Sequence, residues 1–188
     1  MIYIPIGIDC GNAKFLRKHN LRKFALPFDW TITYSGISSI IENNFENLIP
    51  LTNENFNAKY NVSFVHNDFP NDNDKIMRRI NRFKNLLETS QEELIFIRKG
   101  HSPHHHDEVS FKIKSDIEDA EDLDNFLQKK YPNLKYKIIV ILVCGKCFDL
   151  NKNYSENNFK NMIVHNIATP IVDDTKYENL CLNIFNLK

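Results

Sequence analysis

The sequence predicts an α/β fold: a single domain built on a mainly parallel, Rossmann-like sheet of about five strands with helices on both faces. Three observations lead there. Short branched apolar runs alternate with helical periodicities, the pattern of successive βαβ units. After Lys137, the run to Val143 is Ile-rich and carries no polar residue, as a central strand covered on both faces should be. At 188 residues the chain suits one domain with a substantial core, and no repeat or low-complexity linker divides residues 1–188.

In chain order, Ile2, Ile4, Ile6 and Ile8 mark a first strand. Asn12 to Asn20 follows as a helix with Ala13 and Leu16 inward and Asn20 as a left-handed stop. Leu21 to Trp30 is broken by Pro27 and reads as a packed loop, its alternating Phe24, Leu26, Phe28 and Trp30 forming a hydrophobic plug. Ser35 opens a helix with Ile37, Ile40, Ile41 and Phe45 on one face, ending between Asn47 and Pro50. Residues 51–59 are polar and read as loop, and Tyr60 to Val65 is a second strand ending at His66. From Asp72 or Asn73 a helix runs to about Leu87, burying Ile76, Ile80, Phe83 and Leu87 and leaving Arg78, Arg79 and Arg82 on other faces. Leu94 to Arg98 is a third strand, followed by a loop through His101–His106. Asp116 to Tyr131 is a helix with acidic first turns and Lys129-Lys130 at its end, as the helix dipole prefers. Lys137 to Val143 ends at Cys144-Gly145-Lys146-Cys147, and Met162 to His165 is a fifth strand. A closing helix from about Asp174 turns Tyr177, Leu180, Cys181 and Ile184 inward.

Composition excludes several classes of function. Lys+Arg and Asp+Glu are both 24, which leaves no net field to attract nucleic acid or an anionic membrane. No apolar run approaches the ~20 residues of a membrane span, and the first nine residues lack the basic start of a signal peptide. A cytoplasmic protein is expected, without nucleic-acid or membrane partners. The four cysteines are too few and too spread for a disulfide framework, so reduced thiols are the default.

In open α/β sheets, ligands bind outside the carboxyl ends of the strands. Those ends deliver Cys10, His66 with Asp68, Arg98 with the histidine loop, Cys144 and His165 to one predicted rim. Cys10 sits where a strand hands over to a helix, between Gly7 and Gly11, where unpaired N–H groups and the positive end of the helix dipole favour a thiolate. The competing reading is a small core hydrophobe. A cysteine nucleophile needs a base and a group to orient it. The expected set is Cys10 as nucleophile, His66 as base, Asp68 or Asp29 as orienter and the Gly11 N–H for an oxyanion, with His165 as the rival base. Trp30, Arg79 and Arg98 are the expected substrate-binding residues. For Asp29 a purely structural role competes, as ion pairing does for the arginines. Cys144 and Cys147 have redox-pair or half-zinc-site spacing, but no second Cys-x-x-Cys accompanies them, and a zinc site would have to borrow from His101–His106. Incidental thiols are the preferred reading, with no metal and no cofactor.

A resemblance adds to this. Gly7-Ile8-Asp9-Cys10, then Leu16, Leu21-Arg22 and Pro27-Phe28-Asp29-Trp30, resemble the amino-terminal signature of the putative papain-like cysteine peptidases, whose members carry a Gly-x-x-Cys turn followed by Pro-Phe-Asp-Trp. Further similarity lies at Phe64-Val65-His66-Asn67-Asp68-Phe69, at Arg78-Arg79-Ile80-x-Arg82-Phe83 and at Ile95-Phe96-Ile97-Arg98. It covers residues 1 to 100 well and the rest weakly. Asp9 departs from the pattern, standing where a neutral residue is expected, and Asn67 separates His66 from Asp68. The resemblance implies a cysteine hydrolase or acyl transferase that attacks an amide, ester or thioester carbonyl of a peptide or other acyl-group substrate. The alternative is a non-catalytic Rossmann-like module holding an anionic ligand or a partner protein, with Cys10 merely structural. The family name also implies a papain-like α+β arrangement, with the nucleophile on a long helix beside an antiparallel sheet. Strand–helix alternation favours the doubly wound sheet instead.

Overall fold

The apolar run after Lys137 lies where its composition puts it, on an inner strand of a parallel sheet. The structure, a computed structural model, describes residues 1–34, 37–51, 54–100, 115–143, 160–166 and 174–187. The His101–His106 loop, Cys144, Cys147 and the expected helix opener Ser35 lie outside those residues. In chain order the elements are β1 (Ile2–Pro5), α1 (Gly11–Lys18), β2 (Ile32–Thr33), α2 (Ser38–Glu42), β3 (Phe56–Asn57), β4 (Val62–Ser63), α3 (Asn73–Thr89), β5 (Leu94–Gly100), α4 (Asp116–Lys130), β6 (Tyr136–Leu142), β7 (Met162–Asn166) and α5 (Asp174–Ile184).

Four strands form the main sheet in the order β1-β5-β6-β7, all parallel. The two-residue period of each strand divides its side chains between two cores. On one face, Ile2, Ile4 and Ile6 join Leu94, Phe96, Ile138, Val140, Met162 and Val164 beneath α2, α3 and α4. On the other, Ile95, Ile97, Ile139 and Ile141 pack against Phe15 and Leu16 of α1 and Tyr177 and Cys181 of α5. Covering both faces is what a parallel sheet requires, and every residue of β5 is buried.

One expected strand lies elsewhere. The segment around Tyr60 to Val65 supplies β4 to a separate three-stranded antiparallel sheet, β2-β4-β3, and not a fifth strand to the parallel one. Its partners are only two residues long, β3 inside a stretch that reads as loop and β2 between the loop ending at Trp30 and the helix expected from Ser35, and two residues carry no periodic signal. The small sheet meets the large one where Thr33 N–H donates to the Ile8 carbonyl at 2.9 Å. The second helix is also shorter than expected, because Asn44, Phe45 and Asn47 adopt positive φ of 55°, 63° and 57° and turn the chain out of the helix. Asn20, with φ of 55°, is the left-handed stop after α1. Where Ser115 precedes α4, its side chain accepts the Glu118 N–H and the Glu118 carboxylate accepts the Ser115 N–H, a capping box that fixes this helix's start.

These connections create a crevice. After β1 the chain turns onto the α1 face, while after the neighbouring β5 it resumes with α4 on the opposite face. Neighbouring parallel strands that send their helices to opposite faces leave an opening at their carboxyl ends.

Candidate active site

Cys10 stands at that carboxyl end, between β1 and α1. The β1–β5 ladder continues past β1 through Ile6 N–H to the Ile97 carbonyl, Lys99 N–H to the Gly7 carbonyl and Ile8 N–H to the Lys99 carbonyl, each 2.9 Å. Two residues later Cys10 is the N-cap of α1, half-buried, with its carbonyl accepting from Lys14 N–H at 2.9 Å. Gly7 permits this approach: its φ is +101°, and a β-carbon there would lie 1.9 Å from Thr33 Oγ1 and 2.3 Å from Arg98 Nη1. Asn12, buried one turn on, ties the structure together, its Nδ2 donating to the carbonyls of Gly7 and Ile97, both at 2.9 Å. Its Oδ1 accepts from the Tyr177 hydroxyl, linking α5 to the cysteine's turn.

At the end of β5, Arg98 and Lys99 point to opposite faces because strand side chains alternate. Arg98 is 1% exposed and faces the α4 side, where Nε donates to Asp116 Oδ1 at 2.8 Å, Nη1 to the Ile6 carbonyl at 3.0 Å and Thr33 Oγ1 at 2.8 Å, and Nη2 to the Thr33 carbonyl at 3.1 Å. The expectation that Arg98 meets substrate is therefore corrected: its guanidinium is spent inside the protein. Lys99, 4% exposed, faces the α1 and α5 side. Its Nζ lies 3.3 Å from Asp9 Oδ2 and 4.8 Å from the centroid of the Tyr177 ring. Asp9 Oδ1 accepts the Gly11 N–H at 2.7 Å. The N–H expected to hold an oxyanion thus already has a carboxylate acceptor, which a substrate oxygen would have to displace.

The other expected residues assemble elsewhere. His66 is exposed and follows β4 of the small sheet, so it does not share the rim of the parallel strands; its ring meets Trp30 edge-on at 5.8 Å. Trp30 also lies under the guanidinium groups of Arg17 and Arg22, at 5.6 and 5.8 Å, which places it toward the far end of α1. Asp68 accepts from Asn71 Nδ2 at 2.9 Å. Asp29 is buried and takes Arg22 Nε at 2.8 Å, Arg22 Nη2 and the Leu26 N–H at 3.1 Å. Burial pushes its carboxyl above the usual carboxylate range, against the pull of Arg22 and the Leu26 N–H. Its Oδ1 has no hydrogen-bond partner, and the half-buried Arg79 lies near enough to feel its charge. No hydrogen bond joins Cys10, His66, Asp68 and Asp29 to one another. His165, on β7, is level with Ile141 and stands three strands from β1, about 14 Å at sheet spacing.

Sequence reasoning thus missed Asp9, Asn12, Lys99 and Tyr177 as the polar groups around the cysteine. Alternation along β5 could have separated Lys99 from Arg98. Nothing local marks Asn12 or the Tyr177 hydroxyl, whose partners are 85 and 165 residues away. Among the described residues no three His, Cys, Asp or Glu side chains converge as a metal site requires, and no helix is long and apolar enough to cross a membrane.

The second cysteine of known placement differs from Cys10 in chemistry. Cys181 is fully buried on α5, and burial pushes its thiol up from the ordinary 9.0 to about 11. In the unfolded chain it ionises first, so its stabilising contribution is complete below pH 9 and lost as pH rises through 11. Over that interval the contribution is about 2–3 kcal/mol. Urea midpoints measured between pH 8 and 11 should fall more steeply for the natural protein than for Cys181→Ala, and parallel curves would refute this.

The cysteine turn lies within the residues that one family's model matches. The profile of a family described as "putative papain-like cysteine peptidase" matches residues 1–63 and 54–146. The chain is 28% identical to an uncharacterized protein of Acanthamoeba polyphaga mimivirus, over 54% of this chain and 63% of that protein, so it spans less than two thirds of the relative's length. No solved structure matches.

Proposed function

The chain belongs to the putative papain-like cysteine peptidase family, and we propose that it is a cysteine hydrolase or acyl transferase with Cys10 as its nucleophile. The observation that carries this reading is the position of Cys10: a half-buried thiol at the N-terminus of α1, just past the carboxyl end of β1. In the proposed reaction Sγ attacks a carbonyl carbon of a peptide or other acyl-group substrate, and the carbonyl electron pair moves onto oxygen. Collapse of the tetrahedral species expels the amine, alcohol or thiol, which leaves with the proton given up by the cysteine. Water, or a second nucleophile, then cleaves the thioester. His66 is the proposed base on the strength of the family motif. No hydrogen bond joins His66 to Cys10, so its proton transfer would pass through water.

The test is acylation by an activated thioester or nitrophenyl ester, with the acyl mass located by peptide mass spectrometry. The expected result is an adduct on Cys10 and turnover of the ester, both abolished in a folded Cys10→Ala variant. Undiminished acylation in that variant would place the reactive thiol elsewhere and end the proposal. His66→Ala should slow acylation about 100-fold if His66 is the base.

A further inference from the structure

A carboxylate directly before a nucleophilic cysteine is an electrostatic problem, because a negative charge beside a thiol holds its proton on. Asp9 is such a carboxylate, and the fold brings Lys99 to it. The lysine ends the strand next to β1, alternation turns it to the α1 face, and the Tyr177 ring of α5 closes over its ammonium. The result is a short chain of groups: Lys99 Nζ 3.3 Å from Asp9 Oδ2, and Asp9 Oδ1 2.7 Å from the Gly11 N–H. Gly11 leaves room for it, since a β-carbon there would lie 2.8 Å from Asp9 Oδ1 and 3.2 Å from Lys99 Nζ. The lysine therefore stands against both chain neighbours of Cys10.

We propose that Lys99 is the positioning residue of the Cys10 nucleophile: by neutralising Asp9 and pinning it across the first turn of α1, it offsets the carboxylate's charge beside the thiol. This deepens the reading of Cys10 as nucleophile and rests on it. Among the described residues, the charged and titratable groups around the turn leave this task to Lys99. From α1, Lys14 is exposed one turn on. From β5, Arg98 is committed to Asp116 on the other face. From α5, Glu178 is held by Lys18 and His19 at the far end of α1, the Tyr177 hydroxyl is given to Asn12, and Cys181 is buried.

The experiment is the rate of iodoacetamide alkylation at Cys10 as a function of pH, read by peptide mass spectrometry, which needs no knowledge of the substrate. In Lys99→Met the midpoint of the profile should move up by about one pH unit, with alkylation at pH 7 about tenfold slower. Lys99→Arg should restore it, and so should Asp9→Asn combined with Lys99→Met, since removing both charges removes the problem. Tyr177→Phe, which breaks the Asn12 bond but keeps the ring over the ammonium, should leave the midpoint in place. A folded Lys99→Met protein with the natural midpoint, or no recovery in the Asp9→Asn double variant, overturns the proposal. If Lys99→Met does not fold, Asp9→Asn alone decides: its midpoint should not rise, and a rise means that Asp9 aids ionisation. Failure here is distinct from failure of the nucleophile reading, in which Cys10 carries no acyl adduct in the natural protein.

Discussion

Replacing Arg98 with methionine should destabilise the protein by about 3–5 kcal/mol, enough to lower its melting temperature by about 10 °C. Five donor contacts of this one side chain bind the end of β1 through Ile6, the start of the small sheet through Thr33 and the first turn of α4 through Asp116. Asp116 is 2% exposed, so removing the guanidinium takes a counter-charge away from a buried carboxylate, and that loss is the larger part of the cost. Asp119, also buried, holds the other end of this region by accepting from Ile37 N–H, Ser38 N–H and the Ser38 hydroxyl. Burial raises its carboxyl above the usual range, and Arg98 is the foremost group pulling it back down. The pH dependence follows. Without Arg98, the Asp119 carboxyl, already raised by burial, should rise further in the fold, a contribution fully present below the ordinary carboxylate value and lost as pH rises through the raised one. The deficit of Arg98→Met should therefore narrow as pH falls from 7 toward 4, and Arg98→Met with Asp116→Asn should recover part of it at pH 7. Urea denaturation checks each point; an Arg98→Met protein as stable as the natural one would mean that the guanidinium is not internal.

Arg98 also shows what was legible in the sequence. The strand, its depth and its carboxyl end followed from residues 94 to 98, and ligands do collect at strand ends, so a substrate role was the natural reading. The correction comes from partners 18 and 65 residues away, which no local pattern encodes. Acidic residues at the start of α4 read as complements to the helix dipole, and they are; two of them are also the internal counterparts of Arg98 and of the α2 backbone. His66 failed as a rim residue for a related reason. Apolar runs announce strands but not the sheet they join, and the pairing of β4 with two-residue strands is decided by tertiary contact. By contrast, Cys10 at the strand-to-helix turn, the stop at Asn20 and the inward stripe of α3 were all visible, because each rests on chain-local geometry or on a period.

Among the glycines the structure describes, Gly7→Ala should be the most damaging substitution, costing about 3 kcal/mol or more. Two causes add. The φ of +101° is open to glycine and strained for any L side chain, and the new methyl would sit 1.9 Å from Thr33 Oγ1 and 2.3 Å from Arg98 Nη1. Neither neighbour can step aside cheaply: Thr33 is buried in β2, and Arg98 is fixed by its bonds to Ile6, Thr33 and Asp116. The strain would fall three residues before Cys10, so a surviving fraction should also lose acylation at Cys10 out of proportion to its loss of folded protein. Gly11→Ala is the contrast. Its methyl would meet the ends of the Asp9 and Lys99 side chains, which can move, and its backbone is helical, where alanine is favoured over glycine by about 1 kcal/mol. That variant should keep its stability within about 1 kcal/mol while disturbing the Asp9–Lys99 pair. Thermal melts of both proteins would test the comparison, and equal losses at positions 7 and 11 would show that the turn before the cysteine is not held by the Arg98–Thr33 contact.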